Sequence, residues 1–195
     1  PMIYVGGESA GKIKTKDQMK HSAICNQFYV YSGAENMVNM MKYICSQVLH
    51  EEMDYQEPIF IPWEGIFHPD SKEIFQSTKD YFAWKEPSGK GTIALLVSRT
   101  AWLSGDIEVE RALIKHIEKN GYTALPIFSY AMADIDLGAK GTAYAIETFC
   151  FDGYGQPIVD GVIRMTGFFL QDTDEYANTS ESSVMSRLNC PIVKP

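Results

Sequence analysis

The apolar positions of this chain change period part-way along it. Met37, Met41, Ile44 and Val48 recur at helical spacing. Ser32-Gly33-Ala34-Glu35 before them fits a capping box, with Ser as N-cap and Glu three residues later, so the pattern predicts a helix running to about Leu49. Residues 1–57 together read as a strand over positions 2–5, a polar loop and two helices. Residues 58–90 read as a connecting region, because Pro58, Pro62, Pro69 and Pro87 interrupt regular structure around one predicted helix at 71–84. Asp70 with Glu73 caps that helix, Ile74, Thr78, Tyr81 and Phe82 form its stripe, and Ser88-Gly89-Lys90-Gly91 reads as a linker.

From Thr92 onward β and α patterns alternate. Ile93-Ala94-Leu95-Leu96-Val97 is continuously apolar, as in a strand buried on both faces. A helix at 106–120 follows, with Asp106, Glu108 and Glu110 at its positive end, Val109, Leu113 and Ile117 in a stripe, and Asn120-Gly121 as the stop. Strands at 124–128, 159–165 and 191–193 and helices at 141–149 and 176–188 complete the pattern. Residues 91–195 are therefore expected to form an α/β domain, a parallel sheet with helices on both faces in the flavodoxin-like or Rossmann-like manner, preceded by the mostly helical segment. A strand at each end of the chain reads as a segment of a longer polypeptide.

Charge narrows the partners. The chain has 17 Lys plus Arg against 25 Asp plus Glu, a net charge of −8. Residues 130–181 hold nine acids against two bases, Lys140 and Arg164, so that stretch contributes −7. Such a surface repels phosphate backbones, which argues against a nucleic-acid partner. The apolar runs are far shorter than the roughly 20 residues of a membrane span, and the start lacks the pattern of a signal peptide. Cys25, Cys45, Cys150 and Cys190 are dispersed without a CxxC, as in a cytoplasmic protein with reduced thiols.

Candidate chemistry lies in a few places. Gly6-Gly7-Glu8-Ser9-Ala10-Gly11-Lys12 fits GxxxxGK, but Ile13 stands where a phosphate loop needs a hydroxyl for magnesium, so a plain turn is favoured. The stretch from Arg99 through Trp102 to Ser104-Gly105-Asp106 is expected to be the loop after the first parallel strand, where doubly wound sheets bind ligands. Ser104, Gly105 and Asp106 fit a helix cap or a ligand site equally; Arg99, a cation beside the strand end, tips the balance toward a site. Trp102 is a large aromatic with few ways to be buried in such a loop, and it offers a surface for stacking. Thr166-Gly167 follows the third strand and lines the same crevice if the strands are neighbours. Asp172, Asp174 and Glu175 read as a solvated acidic loop. His68-Pro69-Asp70 places an imidazole beside a carboxylate, an incomplete metal or proton-transfer set; with Asp70 already explained as an N-cap, a structural role is favoured. His21, His50 and His116 are isolated.

In order along the chain, Gly33-Ala34-Glu35-Asn36, Gly65-Ile66-Phe67-His68-Pro69-Asp70, Asp80-Tyr81-Phe82-Ala83-Trp84, Arg99 with Leu103-Ser104-Gly105-Asp106, and Asp160-Gly161-Val162 with Thr166-Gly167-Phe168 resemble the large subunits of ATP-dependent metal chelatases, cobaltochelatase and magnesium chelatase. The resemblance covers residues 33–195. It implies an internal segment of a long subunit that holds a corrin or porphyrin ring while a divalent ion, cobalt or magnesium, is inserted. Separate AAA+ subunits would bind ATP and magnesium, and this segment would bind no cofactor of its own. The resemblance carries His68 over as a metal-side candidate and Arg99, Ser104, Gly105, Asp106, Thr166 and Gly167 as ring-side candidates. Cobalt-type relatives often have His where Ala101 stands, whereas Leu103-Ser104-Gly105-Asp106 is closer to the magnesium type. No residue of the segment is singled out as catalytic. The rival expectation is a non-catalytic flavodoxin-like module that binds a small ligand or docks a partner.

Overall fold

The computed structural model describes Ile3, Val5, Ile13 and residues 15–166 and 181–195. It divides into two compact units, Pro1–Ile61 and Pro62–Pro195. Residues 62–90 thus belong to the second unit.

The first unit is built on α1 (Lys16–Tyr31) and α2 (Ala34–Gln47). Thr15 caps α1 by accepting from Gln18 N–H. The expected capping box does not form. Ser32 instead ends α1 at φ 61°, its N–H donating to the Phe28 carbonyl, and Gly33 starts α2 with no side-chain cap. The inward face of α2 is also displaced from the apolar stripe: Asn36, Asn39, Met40 and Tyr43 are buried and Met41 is exposed. The asparagines go inside because they bond backbone that has no helix or sheet partner. Asn36 exchanges bonds with Ile59, and Asn39 Oδ1 accepts from Gln56 N–H. Cys25, Phe28, Met40 and Tyr43 form the core of this unit, and burial pushes the Tyr43 phenol up to about 12. Ile3 and Val5 are not in a strand; the rest of the strand expected at 2–5 and the loop Gly6 to Lys12 lie outside the described residues.

The second unit is the expected α/β fold. Its sheet has the order β1-β3-β2-β4-β5, with β2 (Thr92–Ser98), β3 (Thr123–Ser129), β4 (Gly161–Arg164) and β5 (Ile192–Val193) parallel. An antiparallel edge strand, β1 (Gly65–Ile66), pairs with β3. The run 93–97 is continuously apolar because both faces of β2 are covered. Ala94 and Leu96 join Leu125 and Ile127 beneath α6 (Gly141–Phe149) and α7 (Glu181–Leu188). Leu95 and Val97 join Ala124 and Phe128 beneath α4 (Arg99–Ser104) and α5 (Glu108–Lys119). The α7 side chains Val184, Met185 and Leu188 pack inward, and the start expected for this helix at 176–180 lies outside the described residues.

Four local expectations in this unit are corrected. The helix expected at 71–84 is only α3 (Thr78–Trp84), capped by Ser77 Oγ, because Phe75 is drawn into a backbone bridge with Ile66. The 99–106 stretch is not a loop: its first six residues form α4, Gly105 ends it at φ 76°, and α5 begins after Ile107. Val109 is exposed, and α5 turns Glu110 and Ile114 inward instead. The expected linker at 88–91 is tied down, with Ser88 N–H donating to Thr123 Oγ1 (2.7 Å) and Ser88 Oγ to the Gly121 carbonyl (2.6 Å).

Tyr81 anchors α3 through a fully buried hydroxyl that donates to the Ala124 carbonyl at 2.7 Å. Tyr81→Phe removes that bond while keeping the ring, and is expected to cost about 1–2 kcal/mol, read as a lower urea midpoint with an unchanged m-value.

Candidate functional site

All the parallel strands end on one rim of the sheet. The chain leaves β2 toward β3 on one side and later returns to β4 on the other, so the topological switch lies between the ends of β2 and β4. Leu96 pairs with Arg164, and Met165 N–H donates to the Leu96 carbonyl, which sets Thr166 beside the start of α4. Thr166 is buried and its Oγ1 accepts from Arg164 Nε at 3.0 Å. The expectation that the two loops are neighbours is met at Thr166; Gly167 and the acids at 172, 174 and 175 lie outside the described residues.

Because β1 runs antiparallel, the residues just before it reach the same rim. That brings Trp63, one of the aromatics whose flat area the sequence offers for stacking or for the core, and Glu64, which sequence patterns did not single out, to the ends of β2 and β3. Glu64 is 8% exposed, and its Oε1 accepts the backbone N–H groups of Lys140 (2.8 Å) and Gly141 (2.7 Å) at the start of α6. A carboxylate there meets the positive end of the helix and satisfies donors that the helix itself leaves open.

Arg99 is 4% exposed; Nε donates to the Pro62 carbonyl at 2.9 Å and the guanidinium lies 4.1 Å above the Trp63 ring. Burial lowers its pKa to about 10, while the negative charge of Glu64 and, less, Tyr130 act in the opposite direction. It therefore carries its charge at neutral pH, inside the protein. Trp102 stacks on Phe128, with ring centres 3.9 Å apart and planes at 9°, as part of the core under α4. Ser104 Oγ donates to the Ala101 carbonyl, so Ser104-Gly105 form the end of α4, and Asp106 is exposed just beyond. Arg99 and Trp102 thus build the rim from within, whereas Ser104, Gly105 and Asp106 are accessible on it.

His68 is at the other end of the sheet, beside the last turn of α5. Its Nδ1 accepts from Asp70 N–H (3.2 Å), which places the ring proton on Nε2, 3.0 Å from Glu118 Oε1. Lys85 Nζ bonds the same carboxylate, and Trp84 packs 5.0 Å from the imidazole. Both ring nitrogens are occupied by protein groups, so His68 is a buried strut between β1, α3 and α5. Among the described residues no group of three or more His, Cys, Asp and Glu side chains assembles to hold a metal.

A polar, exposed pair stands at the start of α6. Lys140 Nζ donates to Tyr144 Oη at 3.1 Å and lies 4.3 Å over the Tyr144 ring. Ser129 Oγ and Thr142 Oγ1, 2.9 Å apart and buried, close the end of β3 below. Among the described residues no helix is long and apolar enough to cross a membrane.

The profile of the family described as CobN/Magnesium Chelatase matches residues 26–195, which takes in the rim and every strand that forms it. The chain belongs to that family. A magnesium-chelatase protein of Chlorobaculum parvum is 27% identical over 162 residues, 80% of this chain and 12% of that protein. An uncharacterized protein of Methanocaldococcus jannaschii is 25% identical over 177 residues, 89% of this chain. The chain spans only 14% of the length of that relative. The catalytic subunit of cobaltochelatase from Mycobacterium tuberculosis has a similar fold over 90% of this chain and 13% of its own, with a TM-score of 0.56 at 17% identity.

Proposed function

We propose that this chain is a segment of the large subunit of an ATP-dependent metal chelatase and that the strand-end rim holds part of a tetrapyrrole, a corrin or a porphyrin, while a divalent ion is inserted. The observation that carries the reading is the family match over residues 26–195, combined with a rim at the topological switch of the sheet. Ser104, Gly105 and Asp106 are the ring-side contacts in this reading; buried Thr166, with Arg99 and Trp102, shapes the rim from beneath. Cobalt or magnesium is the inserted ion, a substrate and not a resident metal, and AAA+ subunits supply ATP hydrolysis with their own magnesium. His68 is left out of the metal path, since both of its ring nitrogens are engaged. The site works in the cytoplasm on this reading.

The burial of Arg99 and the stacking of half-buried Trp102 on Phe128 favour a second reading, a flavodoxin-like scaffold that docks a partner and leaves ring binding to other parts of the subunit. Fluorescence titration separates the two. Trp63 lies at the rim, so saturable quenching of this chain by a metal-free corrinoid or a metal-free porphyrin is the expected result, weakened about tenfold in Asp106→Ala. No quenching by either ring would assign the segment to the scaffold.

A further inference from the structure

Metal insertion into a tetrapyrrole requires the loss of two pyrrole N–H protons, and the sequence offers no base for them. The rim does. Tyr144 is 39% exposed on the first turn of α6, and its oxygen is held 3.1 Å from the Lys140 ammonium. We propose that Tyr144 is the base that receives the pyrrole protons, with Lys140 and Glu64 as positioning residues; this rests on the chelatase reading above.

The arrangement has three parts. Lys140 stabilises a phenolate by hydrogen bond and charge, and Thr148 hydrogen-bonds the same phenol from one turn further along α6. Together they hold the Tyr144 pKa below its ordinary value against partial burial and the negative charge of Glu64. Glu64 fixes where the pair stands, because its carboxylate clamps the N–H groups of Lys140 and Gly141. Lys140, Thr148 and Glu64 are thus the groups that set the proton affinity of this phenol.

The step balances without redox change. The phenolate oxygen takes a proton from a pyrrole nitrogen, and the N–H electron pair becomes the first metal–nitrogen bond as the ion loses a water. The phenol releases that proton to solvent through its exposed side and accepts the second in the same way. A base with pKa closer to the working pH spends more of its time in the competent form, which is the gain Lys140 provides.

Two measurements test this. In this chain, absorbance near 295 nm followed against pH should show one phenol ionising ahead of the others; Tyr144→Phe should remove it and Lys140→Met should move it about one pH unit higher. In the full-length subunit assembled with its ATPase partners, Tyr144→Phe should lower kcat for metal insertion about 100-fold with KM unchanged. Lys140→Met should move the rise of kcat to higher pH, and Lys140→Arg should restore it. An early-titrating phenol absent from the wild type, or a Tyr144→Phe subunit with unchanged kcat and pH profile beside an active wild type, would overturn the base. A wild-type subunit that metallates neither ring would overturn the chelatase reading and the base with it.

Discussion

Glu64→Ala is expected to destabilise the α/β unit by about 3–5 kcal/mol, because it removes the acid that balances a buried cation. The side chain does two jobs at once. It accepts the two backbone donors that open α6, and its negative charge favours the buried guanidinium of Arg99. Truncation leaves both N–H groups and the cation in a buried place that water reaches poorly. Glu64→Gln keeps a carbonyl oxygen for the two donors and loses only the charge, so it should cost less than half as much. Arg99→Met in the Glu64→Ala background should recover part of the loss, since the cation that the acid balanced is then gone. Urea denaturation of the wild type, Glu64→Ala, Arg99→Met and the double variant closes the cycle, and a coupling energy below about 0.5 kcal/mol would separate the two residues. This prediction replaces the expectation that Arg99 is a free ligand contact: a residue with its guanidinium on Trp63 and Nε on a carbonyl is committed to the fold.

How far the site was legible in sequence follows from which contacts are local. The strands β2 and β3 and the helix at 141–149 were readable because burial on both faces and helical spacing are properties of short windows. The crevice followed from them, since alternation of β and α dictates a parallel sheet and its ligand end. Glu64 was invisible because its significance depends on β1, two residues long and antiparallel, which turns the chain so that position 64 meets positions 140 and 141. No window of sequence contains that meeting. His68 stands out for the opposite reason: a His beside an Asp suggests chemistry locally, yet its Nε2 partner, Glu118, is 50 residues away. Trp102 falls in a stretch whose sequence predicts a loop, and the short helix α4 found there gives the aromatic the footing to stack on Phe128.

Gly141→Ala should be the second severe change, at about 3–4 kcal/mol, and Gly138→Ala three residues earlier is its control. Both glycines have left-handed backbone, φ 82° at Gly141 and 74° at Gly138, so both substitutions incur the penalty of about 1 kcal/mol that a Cβ brings there. They differ in space. A Cβ on Gly138 meets nothing within 4 Å, whereas one on Gly141 would sit 2.7 Å from the Ala133 nitrogen and 2.8 Å from the Met132 carbonyl carbon. Those are backbone atoms, which cannot swing aside as a side chain would, so the loop after β3 or the start of α6 has to shift. Either shift draws the Gly141 N–H away from Glu64 and carries Lys140 and Tyr144 with it. Gly138→Ala is therefore expected to lower stability modestly and leave ring binding and the Tyr144 titration unchanged. Gly141→Ala is expected to lower stability severely and, in whatever fraction folds, to move the phenol titration toward that of an ordinary tyrosine. Equal costs for the two substitutions would mean that backbone conformation alone governs the entry to α6, and that the close approach at Gly141 contributes nothing to holding the rim.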